Sequence, residues 1–447
     1  MILKRHWLTA TATVIALNIS LSGIASAQTQ QVDLDQFVEL VKQHSKELQL
    51  AVKDREEADA QKNEARSLAY PHLAASAGYT RNLSDIYMYV DLSALSEDGG
   101  SGGAQKLAIN RNNEFSAGVS LTQTLFSGSV FNAIKAAKQY RTLTDYTYDA
   151  TFQYVMTVAR QAYSQALLLE KVVEVAAASE KNAEDNYHDT NNRYESGLAS
   201  EFELLQAESR YREAVPATAE AKRNLELAMI GLKNLAGLPA DEPLTLLGTL
   251  NSYPEMPNPI GLDAVLGNRP DYNARLWEEK LRRTNVSAQR AAYFPSLAAV
   301  AAYGYSAQSD AFRLEEENNS WTVGLKLSVP IFNGGETRAK VHQASVQLDR
   351  SRIELAQMRD DIEKELRSVR LRLEEAHERI KSAETSKQTA EKAFSIAEQT
   401  TRVGLTTQLE LKDTRVMLDQ ATVNYYAAIF DYVLAYHDWK RVVGETD

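Results

Sequence analysis

The sequence predicts an α+β membrane protein made of two structural repeats. Each repeat combines long coiled-coil helices with one β-hairpin, giving four strands per protomer. Three observations carry this prediction. Landmark residues recur in the same order along the two halves. Apolar residues hold a 3-4 spacing over very long stretches. Segments of about ten residues alternate strictly between apolar and polar, with aromatic residues at their ends.

The chain of 447 residues opens with Lys4 and Arg5, then a mostly apolar stretch at 7–24, then Ala25-Ser26-Ala27. This order reads as a secretory signal peptide over 1–27. A membrane-anchoring helix is the alternative, and Asn18, the Thr and Ser residues and the A-x-A end argue against it. No later run of about 18 apolar residues exists, so no transmembrane helix is expected.

The first repeat is expected at 28–237. Leu34-Asp35 opens a helix running to about 68. Strands follow at about 72–82 and 114–126. In the second, Phe115, Ala117, Val119 and Leu121 face one way and Ser116, Gly118, Ser120 and Thr122 the other. Between the strands, Asp98-Gly99-Gly100-Ser101-Gly102-Gly103 reads as an exposed loop. No Gly-Lys-Ser/Thr follows it, so it is not a phosphate cradle. A helix over 129–194 would span roughly 100 Å at 1.5 Å per residue. Its seam runs through Phe152, Val155, Ala159, Ala162, Ala166, Leu169, Val173, Ala176, Ala183 and Tyr187, with Glu180 as a polar break. A tight turn at Gly197-Leu198 leads into a helix over 200–236.

Residues 238–260 hold Pro239, Pro243, Pro254, Pro257 and Pro259, which forbids a helix and reads as a linker. The second repeat, 261–447, repeats the order: a helix over 263–291, strands at about 295–307 and 320–332, and helices over 336–401 and 407–442. Tyr293-Phe294-Pro295-Ser296-Leu297-Ala298-Ala299 answers Ala69-Tyr70-Pro71-His72-Leu73-Ala74-Ala75. Leu327 to Phe332 answers Leu121 to Phe126, and the Gly404-Leu405 turn answers Gly197-Leu198. Trp321, Val323, Leu325, Leu327 and Val329 share one strand face. The seam from Val341 to Ala383 steps 3, 4, 4, 3 around Ile362, a stutter that unwinds the supercoil locally.

The aromatic residues make two belts, as membrane interfaces favour. Tyr70, Phe126, Phe294 and Phe332 mark the helix-side strand ends. Tyr79, Phe115, Tyr303, Tyr305 and Trp321 mark the loop-side ends. Four strands cannot enclose water, and lipid forbids open sheet edges, so several copies must pool their hairpins. A soluble coiled-coil protein whose strands pack on a partner remains the alternative.

Other chemistry is absent from the sequence. There are no cysteines, which excludes disulfides, Cys-based zinc sites and a lipid-bearing N-terminal cysteine. The net charge is −11 with no sustained basic patch, which argues against nucleic acid. The seven histidines form no H-x-x-x-H pair and no G-x-S-x-G occurs. No enzyme site, cofactor site or metal site is expected.

Taken together, Asn268-Arg269-Pro270-Asp271, the run Ala288 to Leu297, the Pro330-Ile331-Phe332-Asn333-Gly334-Gly335 element and the two Gly-Leu tips resemble the outer-membrane factor family, the TolC-like efflux and secretion ducts. The resemblance covers essentially the whole chain past residue 27. It implies a homotrimer with a long α-helical coiled-coil barrel in the periplasm and a twelve-stranded transmembrane β-barrel in outer-membrane lipid. It implies partnership with a periplasmic adaptor (membrane fusion) protein and an inner-membrane transporter. It also implies adaptor docking at Gly197, Leu198, Gly404 and Leu405, and a periplasmic entrance constricted by Glu410 and Asp413. Such an acidic ring would favour cations and raise some carboxylate pKa values by mutual repulsion. The first-half equivalents are Glu203 and Gln206. Thr401 and Thr406 depart from the pattern, standing where a Tyr and an Arg help lock the closed state.

Overall fold

The computed structural model describes residues 30–90, 105–403 and 405–445. The expected signal peptide, the Gly-rich loop at 98–103 and Gly404 lie outside the described residues.

Two features dominate. One is a pair of very long helices, α3 (Gly128–Glu195) and α7 (Glu336–Arg402). The other is an antiparallel sheet of β2 (His72–Arg81), β5 (Asn113–Phe126), β7 (Ser296–Ser309) and β8 (Asn318–Ser328), in that spatial order. Each long helix folds back on a shorter one, α4 (Glu201–Leu235) or α8 (Gln408–Val443). The α7 seam lies where the 3-4 spacing puts it: Ala344, Leu348, Ile362, Val369, Leu373, Ala376 and Ile380 are all buried. The seam continues past the stretch read from sequence, through Ala390, Phe394 and Ala397.

The register aligns the sheet in rows. Ala75, Val119, Tyr303 and Trp321 form one row, and Ser76, Gly118, Gly304 and Ser320 the next. Adjacent rows point to opposite faces, so one face is apolar and the other is small and polar. Both faces are accessible in the single chain: every residue of β2 and of β8 is exposed. The outer edges of β2 and β8 have no strand partner among the described residues. Gly334 (φ +64°) and Gly335 (φ +86°) turn the chain from β8 into α7. A Cβ would be strained at both, which explains the Gly pair of that landmark.

Two expectations are corrected, and a third gains detail. The helix over 34–68 is two helices, α1 (Leu34–His44) and α2 (Lys46–Ser67), because Ser45 takes ψ 125°. The helix over 263–291 is also two, α5 (Leu262–Asn268) and α6 (Pro270–Ala291). Pro270 forces Arg269 out of the helical region and then starts the next helix at its first position. The segment 238–260 contains no helix but is not a free tether. Within it, β6 (Leu244–Leu246) pairs in parallel with β1 (Gln30–Val32), and Leu246 and Leu250 are buried. The first loop adds a small hairpin that the sequence did not announce, β3 (Tyr87–Val90) with β4 (Gln105–Ala108).

The main core sits at a waist midway along the long helices. It combines Phe37 and Val41 of α1, Val155 to Leu167 of α3, Ile362 to Ile380 of α7, Ala428 to Val443 of α8, and the strap around β6. Tyr163 Oη lies between the Val32 and Leu247 carbonyl oxygens, at 3.0 and 2.5 Å. Burial pushes its pKa up to about 12. The waist also carries an ionic knot. Arg269 Nη2 donates to Asp271 Oδ2 and Nη1 to Glu365 Oε2, both at 2.6 Å, and Arg441 Nη2 donates to Glu365 Oε1 at 2.7 Å. Asn268-Arg269-Pro270-Asp271 is therefore a junction holding α6, α7 and the end of α8 together.

Candidate functional site

The helical tips gather most of the candidate residues. The first tip is a Schellman turn: Leu198 N donates to Arg193 O at 2.7 Å and Gly197 N to Tyr194 O at 2.9 Å. Gly197 takes φ +71°, which L side chains rarely adopt. At the second tip Leu405 N donates to Thr400 O at 2.9 Å, the same six-to-one bond. A Schellman turn usually tucks its second leucine-type residue onto the helix. Here Leu198 is 72% exposed and Leu405 80% exposed. Phe202, Leu205, Val403 and Leu409 are exposed beside them, an apolar rim that sequence reasoning did not single out.

Helix-start chemistry fixes the carboxylates next to the tips. Glu410 is the third residue of α8 and closes a capping box. Thr407 N donates to Glu410 Oε2 at 2.8 Å, Thr407 Oγ1 at 3.1 Å, and Glu410 N donates back to Thr407 Oγ1 at 3.2 Å. Glu203 does the same for α4 with Ser200, at 2.7, 2.9 and 3.2 Å. The backbone N–H of the capping residue, then its hydroxyl, hold both carboxyls below the usual range. Within one chain this lowering comes from fixed N–H donors that stabilise the anion; the upward shift expected of a ring needs the carboxylates of several copies. Asp413 is exposed one turn along α8.

Among the described residues Thr401 and Thr406 make local bonds. Thr401 Oγ1 donates to Ala397 O at 2.7 Å, and Thr406 Oγ1 meets Thr400 Oγ1 at 2.5 Å. A side-chain contact near the tips links the two hairpins: Gln408 Nε2 of α8 donates to Thr190 Oγ1 of α3 at 3.5 Å. Within α8, Arg415 Nε lies 2.8 Å from Asp419 Oδ1. Burial raises the Asp419 pKa, against the pull of Ser179 and Arg415.

At the other end, Tyr70, Phe126, Phe294 and Phe332 sit where strands meet helices, all exposed. Trp321, 78% exposed, packs against Tyr303 with ring centres 4.8 Å apart. Beyond the sheet, Phe312 completes a cluster with Tyr79 and Phe115. Arg111 joins the two loops by pairing with Glu316 at 2.5 Å and Asp310 at 3.4 Å. Among the described residues no group of His, Asp and Glu is placed to hold a metal ion. No helix among them is long and apolar enough to cross a membrane.

This arrangement has relatives. Residues 37–238 and 261–444 match the family model described as outer membrane efflux protein. The alkaline protease secretion protein AprF of Pseudomonas aeruginosa is 23% identical over 335 residues, covering 74% of this chain and 67% of that one. The outer membrane protein TolC of Vibrio cholerae is 21% identical over 94% of this chain and 93% of its own. The crystal structure of the CmeC outer membrane channel of Campylobacter jejuni superposes with a TM-score of 0.78. It is 20% identical and covers 92% of this chain and 85% of that one.

Proposed function

The chain belongs to the outer membrane efflux protein family, and from that premise we propose that three copies form one exit duct through the outer membrane. The observation that carries this is the sheet: four antiparallel strands, with β2 and β8 exposed on both faces and their outer edges unpaired among the described residues. Lipid tolerates no such edge. Pairing β8 of one copy with β2 of the next keeps every strand antiparallel, and three copies close a ring of twelve. Two copies would give eight strands, whose interior side chains fill. The row of Ser76, Gly118, Gly304 and Ser320 then lines a wide lumen, and the Trp321 row faces lipid.

In this reading the family is one of channels, not enzymes, and the protein acts as a passive duct for small molecules or polypeptides. The helices extend roughly 100 Å into the periplasm as a barrel of their own. The exposed Leu198 and Leu405 anchor a periplasmic adaptor protein, which connects the duct to an inner-membrane transporter. Glu410 and Asp413 ring the entrance with carboxylates. Tyr70, Phe126, Phe294, Phe332 and Trp321 sit at the lipid interfaces. Residues 28–237 and 261–447 act as the two repeats, with 238–260 strapped across the waist.

The test is cell fractionation followed by single-channel recording. The protein is expected in the outer membrane, with an oligomer band that shifts on heating and defined conductance steps in planar bilayers. Recovery as a soluble periplasmic protein would overturn the reading in favour of a coiled-coil interaction protein.

A further inference from the structure

A cavity of about 140 Å³ lies where α8 meets the α3–α4 hairpin, just above the tips. Its lining includes Arg210, Lys412, Arg415, Asn182, Asn186 and Gln408, and no carboxylate. Three cations around one small space repel each other unless something compensates them. Arg415 has compensation: Asp419 at 2.8 Å and the Phe394 ring at 5.2 Å. Arg210 and Lys412 form no hydrogen bond or ion pair with any described residue. Arg210 feels Asp419, Glu213 and Asp413 only through space, and burial pulls its pKa below the usual arginine value. The cavity also holds a polar mismatch of the opposite sense. Gln408 uses Nε2 on Thr190, and its buried Oε1 has no donor. A buried acceptor without a donor costs stability and invites one.

We propose that this cavity binds one hydrogen-phosphate-type oxyanion. Arg210 and Lys412 hold its charged oxygens, the pairing that guanidinium and ammonium groups favour. Its remaining O–H donates to Gln408 Oε1. That last contact selects the ligand. At neutral pH phosphate keeps a proton to donate, whereas sulfate and carboxylates have none and would set a lone pair against Oε1. A bound oxyanion would tie α4 to α8, and so the first hairpin to the second, near the tips.

The test is isothermal titration calorimetry on the purified full chain in detergent. It uses inorganic phosphate and, separately, sulfate, each against chloride at equal ionic strength. The expected result is saturable phosphate binding at one site per chain, with sulfate at least tenfold weaker. Arg210→Gln and Lys412→Gln should each weaken phosphate at least tenfold while leaving the helical circular dichroism unchanged. Gln408→Leu should bring phosphate down towards sulfate. The proposal is overturned if wild type shows no saturable phosphate heat, if sulfate binds as tightly, or if a folded Lys412→Gln chain binds phosphate as wild type does. The measurement needs only the folded chain, so its failure leaves the duct reading untouched.

Discussion

Replacing Arg269 by Met tests whether the ionic knot holds the waist. The side chain is only 7% exposed and donates to Asp271, Glu365 and the Val442 carbonyl. Met keeps an apolar stem of similar reach and removes the charge. Breaking a fully buried ion pair costs roughly 3–5 kcal/mol. Asp271 and Glu365 are 37% and 31% exposed, so each can partly rehydrate. Discounting by about half for that screening leaves about 2 kcal/mol, roughly a 30-fold change in the unfolding equilibrium. The pH dependence supplies a second check. Burial pushes Glu365 and Asp271 up, but Arg269, aided by Arg441, outweighs it and holds both carboxyls below their usual values. A depressed folded pKa gives stability that is present above the unfolded carboxylate value near 4 and lost as pH falls through the folded one. Guanidinium unfolding followed by circular dichroism at pH 7, 5 and 3 should therefore show the full gap at 7 and 5 and a smaller gap at 3. A variant within about 0.5 kcal/mol of wild type at pH 7, or a gap that does not shrink in acid, refutes the reasoning.

Four further outcomes are expected. Leu325→Lys, on the apolar face and 71% exposed, should cost about 2–4 kcal/mol in a bilayer, as at a membrane midplane; equal stability in lipid and in detergent would deny that the face meets lipid. Tyr163→Phe removes the hydroxyl shared by the Val32 and Leu247 carbonyls and should lower stability by about 1–2 kcal/mol, read from thermal melts. Leu198→Asp with Leu405→Asp should abolish export at an unchanged membrane level, so normal export in the double variant rejects docking through these residues. Asp413→Asn should reduce cation selectivity in planar bilayers more than Glu410→Gln does, with reversal potential as the measure.

The legible parts of the fold were those with a local period. The strands announce themselves because each sets an apolar face against a polar one. The α7 seam announces itself because one stripe, from Ala344 to Ile380, is buried along most of the helix. The break at Arg269 was also readable, since Gly267, Asn268 and Pro270 all disfavour an unbroken helix there. Ser45 offers no such signal: its side chain makes no capping bond and no Gly or Pro accompanies it. The β1–β6 pair is three residues long and joins segments more than 200 residues apart, so nothing local encodes it. At the candidate site the Gly-Leu turns were legible from the glycine. The exposed rim of Phe202, Leu205, Val403 and Leu409 was not, because a helical apolar residue looks the same in sequence whether it is covered or bare.

The two tips also separate structural carboxylates from candidate functional ones. Glu203 and Glu410 recur because both helices need the same start: each carboxylate takes the N–H and hydroxyl of its own capping residue. That requirement explains their presence without any gate. The next pair does not recur. Asp413 is exposed on α8 and takes part in no capping contact, whereas its first-half counterpart, Gln206, lines the cation-rich cavity. Where repeats share a residue, helix chemistry is sufficient reason for it; where they diverge, the difference needs another cause. Glu410→Gln keeps the capping box, since a Gln amide oxygen accepts the same bonds, so it removes charge without disturbing the helix start. If that variant alters selectivity as much as Asp413→Asn, the entrance ring draws equally on both carboxylates. If Asp413→Asn alone does so, the second repeat gained its gating charge at the one position that helix capping left free.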